Sequence, residues 1–177
     1  GRSAVPIRIF EVVAGAMSQV APERALAAFS HFANPNIGGI DDRTGKPFLF
    51  YDLIFGGIGG RSNKDGVEGL SPVMNCTNIP VEVVEAHNPV RINRLEFIPD
   101  SGGAGRNRGG CGVRKDIEIV NAGATLSMLG DRHVHRPYGL FGGEAGKLAE
   151  TVLNPDGAAV NLGSKETRDL KQGDVVS

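Results

Sequence analysis

Read for the spacing of its apolar positions, the chain divides into a short helical beginning and a long succession of strands. Phe10, Val13, Ala14, Met17 and Val20 recur at helical spacing over residues 7 to 20. That spacing predicts a helix that lays this stripe on the core, with Gly15 as its weak point. Pro22 opens a second short helix, with Glu23 and Arg24 in its first turn and Ala25 to Ala28 behind them. From there the period changes. Asn34 to Gly39 and Asp41 to Pro47 carry turn chemistry. Residues 48 to 55 are apolar on both alternations, as in a strand buried on two sides, and Asp52 interrupts them. A carboxylate there requires a partner or a function, and an arginine at a sheet edge is the ordinary partner.

Residues 81–85 and 90–98 read as strands split by Asn88-Pro89. Within the second, Val90 and Ile92 share one phase and Leu95 and Phe97 the other, so a bulge is expected near Asn93-Arg94. Strands follow over 113–120 and 124–129. In the first of these, Val113, Lys115, Ile117 and Ile119 alternate with Arg114, Asp116, Glu118 and Val120. Asn154-Pro155-Asp156-Gly157 joins 151–153 to 159–162 as a hairpin, and 173–177 reads as a strand cut short. The expected class is α+β: β-rich, packed sheets with a short N-terminal helical segment, in a single domain over 1–177.

Composition narrows this little. Glycine, at 26 of 177 residues, favours turns over long helices. A net charge of −1 gives no reason to expect nucleic acid or an anionic membrane as partner. No apolar run reaches the ~18–20 residues of a membrane span. Cys76 and Cys111 lie far apart, outside any C-x-x-C pair, which speaks against a zinc site or a disulfide framework. A reduced, cytoplasmic setting is the simplest reading of that usage.

The chemistry concentrates in residues 100–114, where six of fifteen positions are glycine and three are arginine. Gly102, Gly103, Gly105, Gly109 and Gly110 let a backbone loop turn its amides toward an anion, and Arg106 and Arg108 add fork-shaped donors. The plainer alternative is a tight structural loop with solvated arginines. No helix is expected after these glycines, so this is not a dinucleotide motif, and no Gly-Lys-Ser/Thr makes it a P-loop. A second glycine loop, residues 56–66, contributes Arg61 and Asp65 as candidates. Asp131-Arg132-His133-Val134-His135-Arg136 is a further charged cluster. Its two histidines lack a third ligand at recognisable spacing, so no metal site is assigned and a basic surface strand is the alternative. His31 and His87 stand alone, as packing residues. No Gly-x-Ser-x-Gly elbow supports a serine triad.

Three of these segments together resemble the hydantoinase B/oxoprolinase family. They are Thr77 to Glu85, Asp100 to Val113, and Asp131-Arg132 followed by Pro137 to Gly146. The order and spacing match over most of residues 30–177, with Asn107 standing where the family usually has Trp or Tyr. The resemblance implies the C-terminal portion of a longer B-type chain. It implies part of the B subunit of an ATP-dependent cyclic-amide hydrolase, taking a phosphorylated intermediate from an ATP-binding A-type subunit or domain. A related ketone carboxylase subunit, or a non-catalytic interaction module, is the alternative. The family's N-terminal metal block has no counterpart here, so ATP and a divalent metal are expected in the full complex rather than on this chain. Arg61, Asp65, Arg106, Arg108, Asp131 and Arg132 are then the substrate or anion candidates. Arg106 or Arg108 is expected to share a cleft with Asp131 and Arg132.

Overall fold

The structure, a computed structural model, describes residues 4–74, 76 and 78–177. It begins with helix α1 (Ala4–Ser18), a single 3-10 turn at Pro22–Arg24, and strands β1 (Phe32–Asp41), β2 (Lys46–Tyr51) and β3 (Ile54–Phe55). Helix α2 (Val81–His87) precedes β4 (Val90–Ile98), β5 (Gly112–Ile119) and β6 (Gly123–Gly130). Four strands close the chain: β7 (Thr151–Leu153), β8 (Val160–Leu162), β9 (Lys165–Lys171) and β10 (Val175–Val176). They form two antiparallel sheets, β2-β1-β6-β9 with β3 also on β1, and β4-β5-β10-β7-β8. Ile37, Phe50, Leu126 and Leu170 of the first sheet share one core with Val90, Ile117, Ile119 and Val176 of the second. This is the β-rich α+β class that the sequence implies. The bulge in β4 falls between Ile92 and Arg94, and the hairpin after Leu153 is present.

Five local expectations are corrected. Asn34 to Gly39 is not a turn but the middle of β1, a central strand. Pro35 is tolerated there because its ring nitrogen faces the gap between β2 and β3, where Asp52 donates its own N–H to Pro35 O at 3.2 Å. Residues 81–85 are helical rather than extended: Val84 and Asn88 donate their N–H groups to the carbonyls of Pro80 and Val84. Only Val84 of this helix is buried, so seven residues between two prolines satisfy one apolar contact without a ladder partner. The 3-10 turn does not continue, and Ala25 to Ala28 run extended, with Leu26 bridged to Arg61. β2 buries one face only, Leu49 and Tyr51 pointing outward. Finally, α1 packs by a face rotated about 100° from the one its apolar spacing predicts. Ile7, Glu11 and Ser18 are buried, while Val13 and Met17 remain 55% and 56% exposed. The reason is the hydrogen-bonded network around Glu11 described below.

Candidate functional site

One end of the sandwich is built almost wholly of loops. The start of β1, the end of β4, the start of β5 and the end of β6 all meet there, and the segments joining them cross backbone against backbone. A Cβ at Gly57 would overlap the backbone of Gly110, and one at Gly103 would overlap the Glu144 carbonyl. Glycine is required at such approaches because any side chain would separate the two main chains. The contacts are sealed by hydrogen bonds. Gly110 N–H donates to Ile58 O (2.8 Å), Glu144 N–H to Ala104 O (2.8 Å), Ala27 N–H to Gly60 O (2.9 Å) and Ala28 N–H to Tyr138 O (3.1 Å).

These loops enclose a cleft of about 430 Å³. Its walls are the segments 57–62, 101–107 and 137–144, with Gly109 and Gly110. Arg61 and Arg106 line it, and so does the acidic Glu144. Arg61 donates from Nη2 to Asp65 O (3.3 Å), and its buried Nε has no partner among the described residues. Arg106 is exposed and pairs with no carboxylate among the described residues. Gly102, Gly103, Gly105, Gly109 and Gly110 all line this cleft, but the amides of Gly109 and Gly110 are already committed, to Gly103 O and Ile58 O.

The other sequence candidates hold the scaffold. Asp65 accepts the Arg108 N–H at 2.9 Å, and Arg108 Nη2 meets Glu68 Oε1 at 2.5 Å, which holds the Glu68 carboxyl below its usual range. Asp131 and Arg132 are not brought to the glycine cleft. Asp131 accepts the Phe32 N–H (2.8 Å) and Arg8 Nε (2.8 Å). Arg132 Nη2 donates to Glu11 Oε2 (2.6 Å). Burial lowers the Arg132 pKa first and the neighbouring Arg8 guanidinium second, with Glu11 opposing both. Glu11 also accepts the Phe29 N–H (2.6 Å) and pairs with Arg8, while the Tyr138 hydroxyl donates to its main-chain carbonyl (2.8 Å). So a carboxylate bolts α1 across the loops, and the helix turns its polar Glu11 face inward.

His133 bonds Asp131 O (3.0 Å) and Thr151 Oγ1 (3.1 Å), and His135 is exposed. Among the described residues no three His, Cys, Asp or Glu side chains converge as metal ligands.

A second cleft of about 440 Å³ opens between the two sheets at the same end. Ser30 and Ser101 line both clefts. Lys115 and His31 line the second, and Lys115 Nζ is paired with Asp52 Oδ2 deep in the wall. The partner of Asp52 is therefore a lysine rather than an arginine. The sequence carries a signal for it, since Lys115 shares the phase of Val113, Ile117 and Ile119. His31 is pushed down to about 4, by burial first, with Asp131 pulling the other way and His133 and Arg8 adding to the drop. It keeps part of its surface open to the cavity. Nothing in its sequence context marks it.

A family model described as hydantoinase B/oxoprolinase matches residues 1–177. The chain belongs to that family. An uncharacterized protein of Methanocaldococcus jannaschii is 37% identical over 170 residues, covering 96% of this chain and 29% of its own length. A 5-oxoprolinase of Dictyostelium discoideum is 32% identical over 163 residues, covering 90% of this chain and 13% of its own. The chain thus spans less than a third of either relative. Among solved structures, an ATP-dependent caprolactamase from Pseudomonas jessenii superposes with a TM-score of 0.74 at 23% identity, over 90% of this chain and 30% of that one. At that identity the likeness establishes a shared fold. No helix among the described residues is long and apolar enough to cross a membrane.

Proposed function

We propose that this chain forms part of the B component of an ATP-dependent cyclic-amide hydrolase of the hydantoinase/5-oxoprolinase kind, and that its glycine-walled cleft holds the phosphorylated intermediate. The observation that carries this reading is the pairing of Arg61 and Arg106 on one cleft, the first with an unsatisfied buried Nε and the second without a carboxylate partner among the described residues. An amide carbon is a poor electrophile. Transfer of a phosphoryl group to its oxygen makes it imidate-like and open to water, and the species so formed is an anion. Guanidinium forks suit a phosphoryl group because two parallel N–H donors fix its orientation as well as its charge. Backbone-packed glycine walls hold those forks on a rigid frame, which is the condition for stabilising charge as it develops.

The phosphoryl donor comes from elsewhere in this reading. The sequence has no P-loop, so ATP is used by an A-type subunit or domain, and a divalent metal belongs to that complete assembly. The kinship with a 5-oxoprolinase favours a cyclic amide over a ketone as substrate. The test is steady-state kinetics of ATP-dependent 5-oxoproline and hydantoin turnover by the complete assembly. Arg61→Lys and Arg106→Lys should each lower kcat/KM by roughly 10-fold or more with folding intact, since lysine cannot make the two-pronged contact. Wild-type constants in both variants would remove the cleft from the reaction.

A further inference from the structure

The cleft between the sheets is unlike its neighbour in charge. Six ionisable side chains other than histidine line it, three acidic (Glu96, Asp131, Glu150) and three basic (Arg114, Lys115, Lys147). The charges nearest its depth are neutralised in place, Lys115 by Asp52 and Asp131 by Arg8. Much of the remaining wall is apolar, with Pro35, Ile117 and Met128 contributed by β1, β5 and β6. An anion would gain nothing from such a wall, whereas an uncharged body would leave water for apolar contact.

Lys115 supplies the one feature that packing does not explain. Its side chain is only 6% exposed, yet it lines the cavity. An ammonium carries three N–H donors, and Asp52 Oδ2 is its sole hydrogen-bond partner among the described residues. Buried donors are seldom left idle. His31 lines the same cavity, and its Nδ1 contacts Ser30 Oγ at 3.3 Å. Its lowered pKa of about 4 keeps the ring uncharged at neutral pH, consistent with an uncharged occupant.

We propose that the cavity between the sheets is a binding site for a small uncharged molecule with an apolar body and one carbonyl group, whose oxygen accepts its hydrogen bond from the Lys115 ammonium. The site stands independently of what the neighbouring glycine cleft holds.

The experiment compares two near-isosteric probes on the full chain, 2-ethylbutanamide and 2-ethylbutanoate, by ligand-observed NMR titration. The amide should bind saturably and more tightly than the carboxylate, and it should shift the His31 ring signals while leaving those of His87 in place. Two variants locate it. Ala149→Phe fills the cavity mouth and leaves the ion pair intact. The double variant Asp52→Asn/Lys115→Met removes donor and charge together, so no buried charge is left unpaired and folding is retained, as a melting curve checks. Each should weaken the amide by about 10-fold, the loss of one good hydrogen bond to a charged donor or of the occupied volume. Absence of saturable amide binding, equal or tighter carboxylate binding, or undiminished affinity in Ala149→Phe overturns the site. Loss in Ala149→Phe with full affinity in the double variant overturns the role of Lys115.

Discussion

A valine at position 103 would place its Cβ on the Glu144 carbonyl, while one at 109 would meet the Gly103 nitrogen at 3.2 Å, a contact that a small shift relieves. Gly103→Val is therefore expected to destabilise the fold by about 1–3 kcal/mol, the usual cost of forcing atoms into a filled space, and Gly109→Val by less. Urea denaturation of the two variants checks this; equal midpoints would show that the 100–110 and 137–146 segments do not pack as described. Neither glycine has a positive φ, so the strain is one of approach and not of backbone conformation. Glycine density marks a close-packed loop in the sequence, but the identity of the opposing backbone is a tertiary fact. His31 offers a second residue-scale prediction. Its folded pKa, about 4, lies below the unfolded value near 6.5. Between those values the unfolded chain binds more protons, so stability present at neutral pH is lost as pH falls from about 6.5 through about 4. The loss should be on the order of 2 kcal/mol, reduced by the solvent that still reaches the ring. The unfolding free energy of wild type relative to His31→Asn should fall across that window as pH is lowered. Parallel curves would contradict a buried neutral imidazole.

Helix α1 shows at the element scale why spacing alone misleads. Its stripe from Phe10 to Val20 has the period of a buried face, yet Glu11 is the residue driven inward, because Arg8, Arg132 and the Phe29 N–H converge on it. The ionic partners come from residues up to 121 positions away, which no local pattern can reveal. Met17→Lys should leave stability within about 0.5 kcal/mol of wild type. Glu11→Ala should cost about 3 kcal/mol, since it leaves the buried Arg132 guanidinium without its carboxylate and the Phe29 N–H without its acceptor, while Arg8 keeps Asp131. Thermal unfolding of both variants measures the contrast, and a reversed order would restore the stripe as the inward face. β1 makes the same point differently. Asn34-Pro35-Asn36 and Gly38-Gly39 are turn formers by composition, and they lie in a central strand because β6 on one side and β2 on the other supply the ladder. The bulge in β4 and the hairpin after Leu153 were legible because phase slips and Asn-Pro-Asp-Gly act locally.

Across the whole molecule, the sequence candidates divide between the lining of one cleft and the clamps around it. Arg61 and Arg106 share the glycine cleft. Asp65 and Arg108 tie the two glycine loops together, and Asp131 and Arg132 hold α1 to the start of β1 and the end of β6. Charge beside glycine has two placements here, lining a cleft and clamping loops, and the residue types are the same for both. Only the partners distinguish them. The most direct test of the account is the affinity of the chain for methyl phosphate, measured by isothermal titration calorimetry for wild type, Arg61→Lys, Arg106→Lys and Arg168→Lys. Saturable binding, weakened by about 10-fold in the first two variants and unchanged in Arg168→Lys on the remote strand β9, is the predicted result. The same affinity in all four proteins, or no saturable binding in any, would contradict the anion-holding cleft.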